Sequence, residues 1–284
     1  MDLLFCSDIH GDEGHFARLI SVAAQTRSQV IILGGDMLPD DSALEPKKMG
    51  HGQPAYVREK FRNYVTALRE GSGCEEVLVI FGNHDWGSSV TAMRELETDG
   101  LLRILDMEKP YQHAGLYFIG YSCTPPTPWY VKDFERLDVP GDTPPLLGGA
   151  RWDARFSRPS QQSSTYLFNS VKTMEEELSH LKAPPNPWVF VAHAPPYLSK
   201  LDRYYGDQAW GSKSIRGAIE KHQPMLSLHG HIHESPDVTG AYQDAIGKTI
   251  AVNPGQSRSA LYYATIRVDV PAGKVLEVKQ GRAT

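Results

Sequence analysis

Residues 77–86 read Val77-Leu78-Val79-Ile80-Phe81-Gly82-Asn83-His84-Asp85-Trp86. The run from Val77 to Phe81 is apolar without alternation, the pattern of a strand buried on both faces. Gly82 then permits a tight bend, and Asn83, His84 and Asp85 follow with no spacer. In open α/β sheets, ligands sit past the C-terminal ends of the strands. An amide, an imidazole and a carboxylate at such a rim make a place for a metal and an acid. One stretch of this kind could equally be a polar turn. Working outward, four more apolar runs end the same way. Asp2–Ser7 leads into Asp8-Ile9-His10, Val30–Leu33 into Gly34-Gly35-Asp36, Trp188–Ala192 into His193, and Met225–Leu228 into His229-Gly230-His231-Ile232-His233. Five such strand ends in one chain predict a single shared site.

The chain of 284 residues suffices for one large α/β domain or two small ones. With no linker or internal repeat visible, 1–284 reads as a single domain. A net charge of −5 exerts no general pull on nucleic acid or anionic membrane. No apolar run approaches the length of a membrane span. Cys6, Cys74 and Cys123 are odd in number and lack CxxC spacing, which fits a reducing compartment. The first strand begins within two residues of Met1, leaving no room for a signal peptide. The expected location is the cytoplasm.

Phe16, Leu19, Ile20 and Ala23 predict a helix over 13–26. Tyr56, Phe61, Tyr64, Val65 and Leu68 predict a second over 55–70, closed by Gly71-Ser72-Gly73. Further helices are expected over 88–98, over 163–181 as one amphipathic element, and over 212–221 behind a serine cap. Strands are expected over 101–105, 116–121, 248–252, 260–268 and 274–279. Residues 37–54 read as a loop over the rim. Residues 122–160 hold many prolines, the aromatics Trp129, Tyr130, Trp152 and Phe156, and the arginines Arg136, Arg151, Arg155 and Arg158. Without periodicity, this segment reads as an irregular, lid-like insertion whose aromatics argue against disorder.

Collected, the candidate ligands are Asp8, His10, Asp36, Asn83, His193, His231 and His233. That set is too large for a single tetrahedral zinc. It suits two divalent ions sharing one carboxylate, with positions open for water. Asp36 stands alone at its strand end and is the natural bridge. Imidazole and carboxylate without thiolate suit Mn, Fe, Zn, Co or Ni more than calcium. Two such ions roughly 3.5–4 Å apart clamp the attacking and leaving oxygens of an in-line displacement at phosphorus, a bridging hydroxide being the nucleophile. The leaving alkoxide then needs a proton. His84 is the candidate general acid, with Asp85 expected to hold it and raise its pKa.

Asp8-x-His10, Gly35-Asp36, Gly82-Asn83-His84-Asp85, a lone His193 and Gly230-His231-x-His233 resemble, in order, the five blocks of the calcineurin-like metallophosphoesterase superfamily. Residues 193–234 carry His193-Ala194-Pro195-Pro196, Asp202, Gly211-Ser212, Pro224 and His233-Glu234. With Gly247-Lys248-Thr249 and Asn253-Pro254-Gly255, they resemble its little-characterised prokaryotic branch and the animal metallophosphodiesterases. The resemblance implies a four-layer α-β-β-α sandwich of two mixed β-sheets flanked by helices. It implies one metal on Asp8, His10 and His233, another on Asn83, His193 and His231, Asp36 bridging and His84 as acid. Manganese is the expected ion. Gly35-Asp36 runs into Met-Leu-Pro instead of an Asp-Arg-Gly block, which sets the chain apart from Ser/Thr protein phosphatases.

The expected reaction is hydrolysis of a phosphodiester in a small phosphate-ester substrate, a nucleotide among the candidates. A phosphomonoesterase or a nuclease on the same site stays open, although the charge balance lacks the basic groove a nuclease wants. A catalytically silent scaffold would show broken ligand blocks. Candidate substrate contacts are Tyr197, Tyr204, Tyr205 and Trp210 as aromatic walls, and Arg151 and Arg155 as phosphate grips. His15, His180 and His222 are expected on helix surfaces, His51 in solvent, and His229 as filler at its strand end in preference to a support for His231.

Overall fold

In the computed structural model, which describes residues 1–40, 49–206 and 208–284, the unbroken apolar runs become central parallel strands. Four lie side by side in one sheet: β1 (Asp2–Cys6), β2 (Val30–Gly34), β3 (Glu76–Ile80) and the short β4 (Arg103–Ile104). The second sheet opens with the hairpin β5 (Tyr111–His113) and β6 (Leu116–Tyr121). Its turn residues Ala114 and Gly115 have φ of 45° and 84°, as a two-residue turn between twisted strands requires. A separate hairpin follows, β7 (Gly149–Asp153) and β8 (Arg158–Gln162). Then come β9 (Trp188–Ala192), a small hairpin of β10 (Arg203–Tyr204) and β11 (Gln208–Ala209), β12 (Leu226–Leu228), β13 (Gln243–Ile246) and β14 (Thr249–Val252). The chain returns to the first sheet with β15 (Leu261–Asp269) and β16 (Lys274–Ala283). The sheet orders are β16-β15-β1-β2-β3-β4 and β13-β14-β12-β9-β6-β5.

Alternation within β1 shows how the layers form. Leu3 and Phe5 point into the space between the sheets, where they meet Ile32, Leu78, Phe118, Val189, Val191 and Leu228. Leu4 and Cys6 point the other way, into a layer with Phe16, Leu19, Val65 and Leu68. Those last side chains come from α1 (Glu13–Thr26) and from a helical run of α2 (Gly52–Tyr56), a π turn (Val57–Phe61) and α3 (Arg62–Ser72). Met93 and Leu96 of α4 (Ser89–Thr98) join the same layer. On the far face of the second sheet, Met174, Leu178, Ile215 and Ile219 cover Trp188 and Phe190. The result is the expected four-layer α-β-β-α sandwich. Truncating an inner-layer residue such as Phe5 or Phe118 to alanine would cost about 3–5 kcal/mol.

Some expectations are corrected. The single helix over 163–181 is two short ones, α5 (Ser164–Asn169) and α6 (Met174–Leu178). Thr173 starts α6 with a reciprocal capping box: Glu176 N donates to Thr173 Oγ1 at 3.2 Å, and Thr173 N to Glu176 Oε2 at 2.7 Å. That is a start signal inside what had read as one period. The 122–160 segment is not structureless, since it contains β7 and the bridges Thr124↔Glu135 and Val131↔Ala150. The helix α7 (Lys213–His222) begins as expected, Ser212 accepting from Ile215 N. The strands β5, β10, β11 and β13 and the helix α8 (Ser235–Thr239) were not expected from sequence. Of the expected 37–54 loop, residues 41–48 lie outside the described residues, and α2 already begins at Gly52.

Candidate metal centre

The strand ends of β1, β2, β3, β9 and β12 converge on one rim, and its backbone is bent to make them meet. Asp8, His10, Asp36 and His231 have φ of 60°, 51°, 53° and 66°. Positive φ on a non-glycine residue costs on the order of 1–3 kcal/mol and persists only where neighbouring bonds over-determine it. Here they do. Asp8 N donates to Gly35 O at 3.0 Å and His10 N to Asp36 O at 2.8 Å. His231 N donates to both oxygens of Asp8 at 3.1 Å, and His84 N to Asp36 Oδ1 at 2.8 Å. Two glycines leave the necessary room. A Cβ on Gly82 would lie 2.6 Å from His193 Nε2 and closer still to Asp36 Oδ1, and one on Gly230 would collide with Ser7 Oγ and Asp8 Oδ2.

The side chains fall into two overlapping groups. Asp8, His10 and His233 bring one ligand atom each within 4.8 Å of one another, as do Asp8, Asp36 and His193. The His193 and His231 rings lie 5.4 Å apart, and those of His10 and His233 also 5.4 Å. Asp8 therefore reaches both groups, whereas the resemblance had given it to one metal.

Does this donor set fit divalent ions? His193 Nδ1 lies 2.8 Å from Gly34 O; a carbonyl only accepts, so Nδ1 carries the hydrogen and Nε2 the lone pair. That lone pair faces Asp36 Oδ2 at 3.2 Å and Asp8 Oδ1 at 3.8 Å. The buried atoms His193 Nε2, Asn83 Oδ1 and Asn83 Nδ2 have no hydrogen-bond partner, a rare condition for interior polar groups. Lone pairs facing one another in a dry rim need a cation between them, and the set fits. Electrostatics agree. Burial opposes a charge on His193, yet Asp36 beside it raises it to about 9, so the carboxylates of this rim favour positive charge at Nε2. Burial likewise opposes ionisation of Asp36, but His193 and His84 hold it well below the usual carboxylate range. Burial drives His10 down to about 4 and His231 to about 3, leaving neutral imidazoles with free lone pairs.

Asp85 does not hold His84. Its buried carboxylate accepts from the backbone N–H of Gly82 (2.8 Å), Asp36 (3.2 Å) and Leu38 (3.4 Å), tying two strand ends together. Burial, with Asp36 nearby, lifts it to about 8. The carboxylate facing His84 is Asp40, 3.8 Å from Nδ1, and the His84 ring packs edge-on to His10 at 4.8 Å.

Several supporting residues had no assigned part. Gln53 donates to His84 O at 2.9 Å and to Pro39 O at 3.0 Å, and accepts from Trp86 N at 2.6 Å. Asn253 Nδ2 reaches the carbonyls of Leu201 (3.1 Å), Gly230 (3.3 Å) and Ile232 (3.1 Å), which fixes the backbone on both sides of His231. Its Asn-Pro-Gly block was visible in sequence. His229 is more than filler: Nδ1 sits 2.9 Å from Ala192 O and Ala194 O, bracketing His193, while Nε2 meets Ser227 Oγ at 2.7 Å. His15, expected on the surface, is buried between Asp12 Oδ1 (2.9 Å) and Ser257 O (2.8 Å).

Other candidates go elsewhere. Arg151 donates to Lys132 O at 2.8 Å and Glu135 O at 3.3 Å inside the insertion. Arg155 lies over the exposed Phe156 ring. Tyr197 lies under Lys213 of α7. Tyr204, Tyr205 and Trp210 form their own exposed cluster around the β10–β11 hairpin. Exposed His51 packs against Trp152.

Among the described residues, no helix is long and apolar enough to cross a membrane. UPF0046 protein K07C11.7 of Caenorhabditis elegans is 33% identical over 101 residues, which span 34% of this chain and 34% of that protein. The match thus covers about a third of that relative's length. The fold is similar to TT1561 of Thermus thermophilus, with TM-score 0.56, 16% identity, and 99% and 97% of the two chains covered. It is also similar to a dimetal phosphatase from Danio rerio, with TM-score 0.54, 12% identity, and 100% and 96% covered. A profile of the calcineurin-like phosphoesterase family matches residues 1–235. That match runs through every strand end with a candidate ligand from Asp8 to His233, and the chain belongs to the calcineurin-like phosphoesterase family.

Proposed function

We propose that the rim hydrolyses a phosphodiester and holds two divalent ions, manganese first, with iron, zinc, nickel or cobalt as alternatives. Asp8, His10 and His233 would hold one ion, Asn83, His193 and His231 the other, with Asp36 shared. The observation that supports this most directly is the unsatisfied, buried pair of His193 Nε2 and Asn83 Oδ1. Bound there, the ions supply Lewis acidity, polarising the phosphoryl oxygens and making water nucleophilic near neutral pH.

The rest is the work of the chain. Asp85 and the His84 N–H fix Asp36 from two directions. His84, pinned through its own carbonyl by Gln53 and set against His10, donates the proton that the leaving oxygen takes up. An acid at this position matters most for an alkoxide, which is why a diester with a poor leaving group is the favoured substrate. The substrate is read as a small phosphate ester, a nucleotide being the leading candidate. The insertion belongs to the same catalytic unit. Cys6, Cys74 and Cys123 are free and buried, which suits a cytoplasmic location.

The test is turnover of bis-p-nitrophenyl phosphate against p-nitrophenyl phosphate, with added manganese and with chelator. Manganese-dependent hydrolysis of the diester, abolished by chelator, is expected. Turnover of the monoester alone would move the reading to a phosphomonoesterase, and chelator-insensitive turnover would end the metal assignment.

A further inference from the structure

Trp129 lies in the insertion, yet its ring centroid is 4.9 Å from that of His84. It is 47% exposed. A large aromatic left half in water beside a polar site needs a reason, and the loop beneath it is built to keep it there. Lys132 and Glu135, both 0% exposed, form an ion pair at 2.8 Å. Both grip Thr127: Lys132 Nζ donates to its carbonyl at 2.7 Å, and Glu135 accepts from its N–H at 3.0 Å and from its hydroxyl. Thr127 Oγ1 in turn accepts from Trp129 N at 3.3 Å. The loop is fastened to β7 by Lys132 N to Ala150 O and Ala150 N to Tyr130 O, both 2.8 Å. It is fastened to the turn carrying His84 as well. Asp133 accepts from Gly87 N at 2.9 Å, and Phe134 stacks on Phe81 at 5.0 Å. Burying an ammonium and a carboxylate is costly, and here the cost falls on a single turn that presents one indole.

We propose that Trp129 is the platform on which the leaving group of the substrate stacks, and that this group is a nucleoside. The proposal rests on the reading of His84 as the acid. The oxygen that His84 protonates must come within hydrogen-bond reach of it, so the atoms attached to that oxygen lie beside Trp129. A flat, sequence-tolerant aromatic face at that point selects a nucleobase over an aliphatic alcohol.

Affinities of the manganese-loaded protein for adenosine 5′-monophosphate and ribose 5-phosphate, by calorimetry, test it in wild type, Trp129→Ala and Trp129→Phe. The alanine variant should weaken the nucleotide on the order of tenfold and leave ribose 5-phosphate unchanged, with the phenylalanine variant retaining most of the affinity. Equal weakening of both ligands, or no weakening of the nucleotide, would overturn the proposal. His84→Ala separates the two readings. If that variant keeps full turnover of alkyl diesters while Trp129→Ala still loses the nucleotide selectively, the acid assignment falls and with it the placing of the nucleoside as leaving group, and Trp129 is left as a nucleobase contact alone.

Discussion

The strand-end rim and the 122–160 insertion both hold a few side chains still, and they do it with different emphasis. At the rim the frame is backbone, with parallel strands, residues at positive φ, and glycines where a Cβ would strike a candidate ligand, and the side chains of Asp85, Gln53, His229 and Asn253 brace it. In the insertion it comes from side chains reaching backbone. Glu135 and Lys132 converge on Thr127, Asp133 on Gly87, and Arg151 on the carbonyls of Lys132 and Glu135. The rim should therefore be intolerant of any added atom, and the insertion intolerant of a lost partner.

The largest effect tests the rim directly. Gly82→Ala places a methyl against Asp36 Oδ1 and His193 Nε2, two buried side chains that His84 N and Gly34 O hold in place. Activity should fall to the uncatalysed background and bound metal should be lost, read by elemental analysis, while the far-ultraviolet circular dichroism stays folded. Retained metal and turnover would mean that the rim is softer than its hydrogen bonds imply.

Next in size is His84→Ala, which should cost roughly 10²–10⁴-fold on diesters with alkyl leaving groups and far less on p-nitrophenyl esters, whose leaving groups need no proton. Equal losses on both would sink the assignment of His84. The same measurement on Asp40→Asn asks whether the carboxylate 3.8 Å from His84 Nδ1 takes the part that Asp85 does not.

The comparison also explains what could be read from sequence. Each rim block is local: an unbroken apolar run, in three of the five a glycine, then a candidate donor, so strand, bend and donor lie within about ten residues and the period announces them. His229, Gln53 and Asn253 act on carbonyls far along the chain, and nothing local distinguishes such a residue from a filler. Asp85 misled for the same reason, since adjacency to His84 suggested a pair while its oxygens turn back to Gly82 and across to Asp36 and Leu38. In the insertion, Lys132 and Glu135 read as ordinary surface charges until the fold buries them. The break at Thr173 lies in the sequence as Thr173-Met174-Glu175-Glu176, the spacing of a capping box, inside an apolar period that runs on across 163–181 and hides it.

A smaller effect sharpens the rim side. His229→Ala removes the imidazole that brackets His193 through the carbonyls of Ala192 and Ala194. A support of this kind is worth roughly 10–100-fold in metal affinity or activity. The expected readout is a higher manganese requirement with near-normal turnover at saturating metal. A loss of turnover that added manganese cannot restore would show that His229 shapes the substrate site instead.

The smallest effect belongs to the insertion and turns on sign. Lys132→Met strands Glu135 without its cation and should destabilise by about 3–5 kcal/mol, whereas Lys132→Met with Glu135→Gln should cost less, because no charge is left buried alone. Burial raises Glu135 from 4.5 to about 7 even with Lys132 beside it. Between those two values the folded chain binds more protons than the unfolded one, so this group's contribution is whole below about pH 4.5 and is lost as pH rises to 7. Burial lowers the Lys132 pKa, which acts in the opposite sense and only as pH approaches the ordinary lysine range. Wild-type stability, followed by Tm from pH 4.5 to 7, should carry a downward component that Glu135→Gln removes. An unchanged profile in that variant would mean that Glu135 is ionised throughout, held by the two Thr127 donors and its lysine. The insertion would then be a charged clasp that outweighs its own burial.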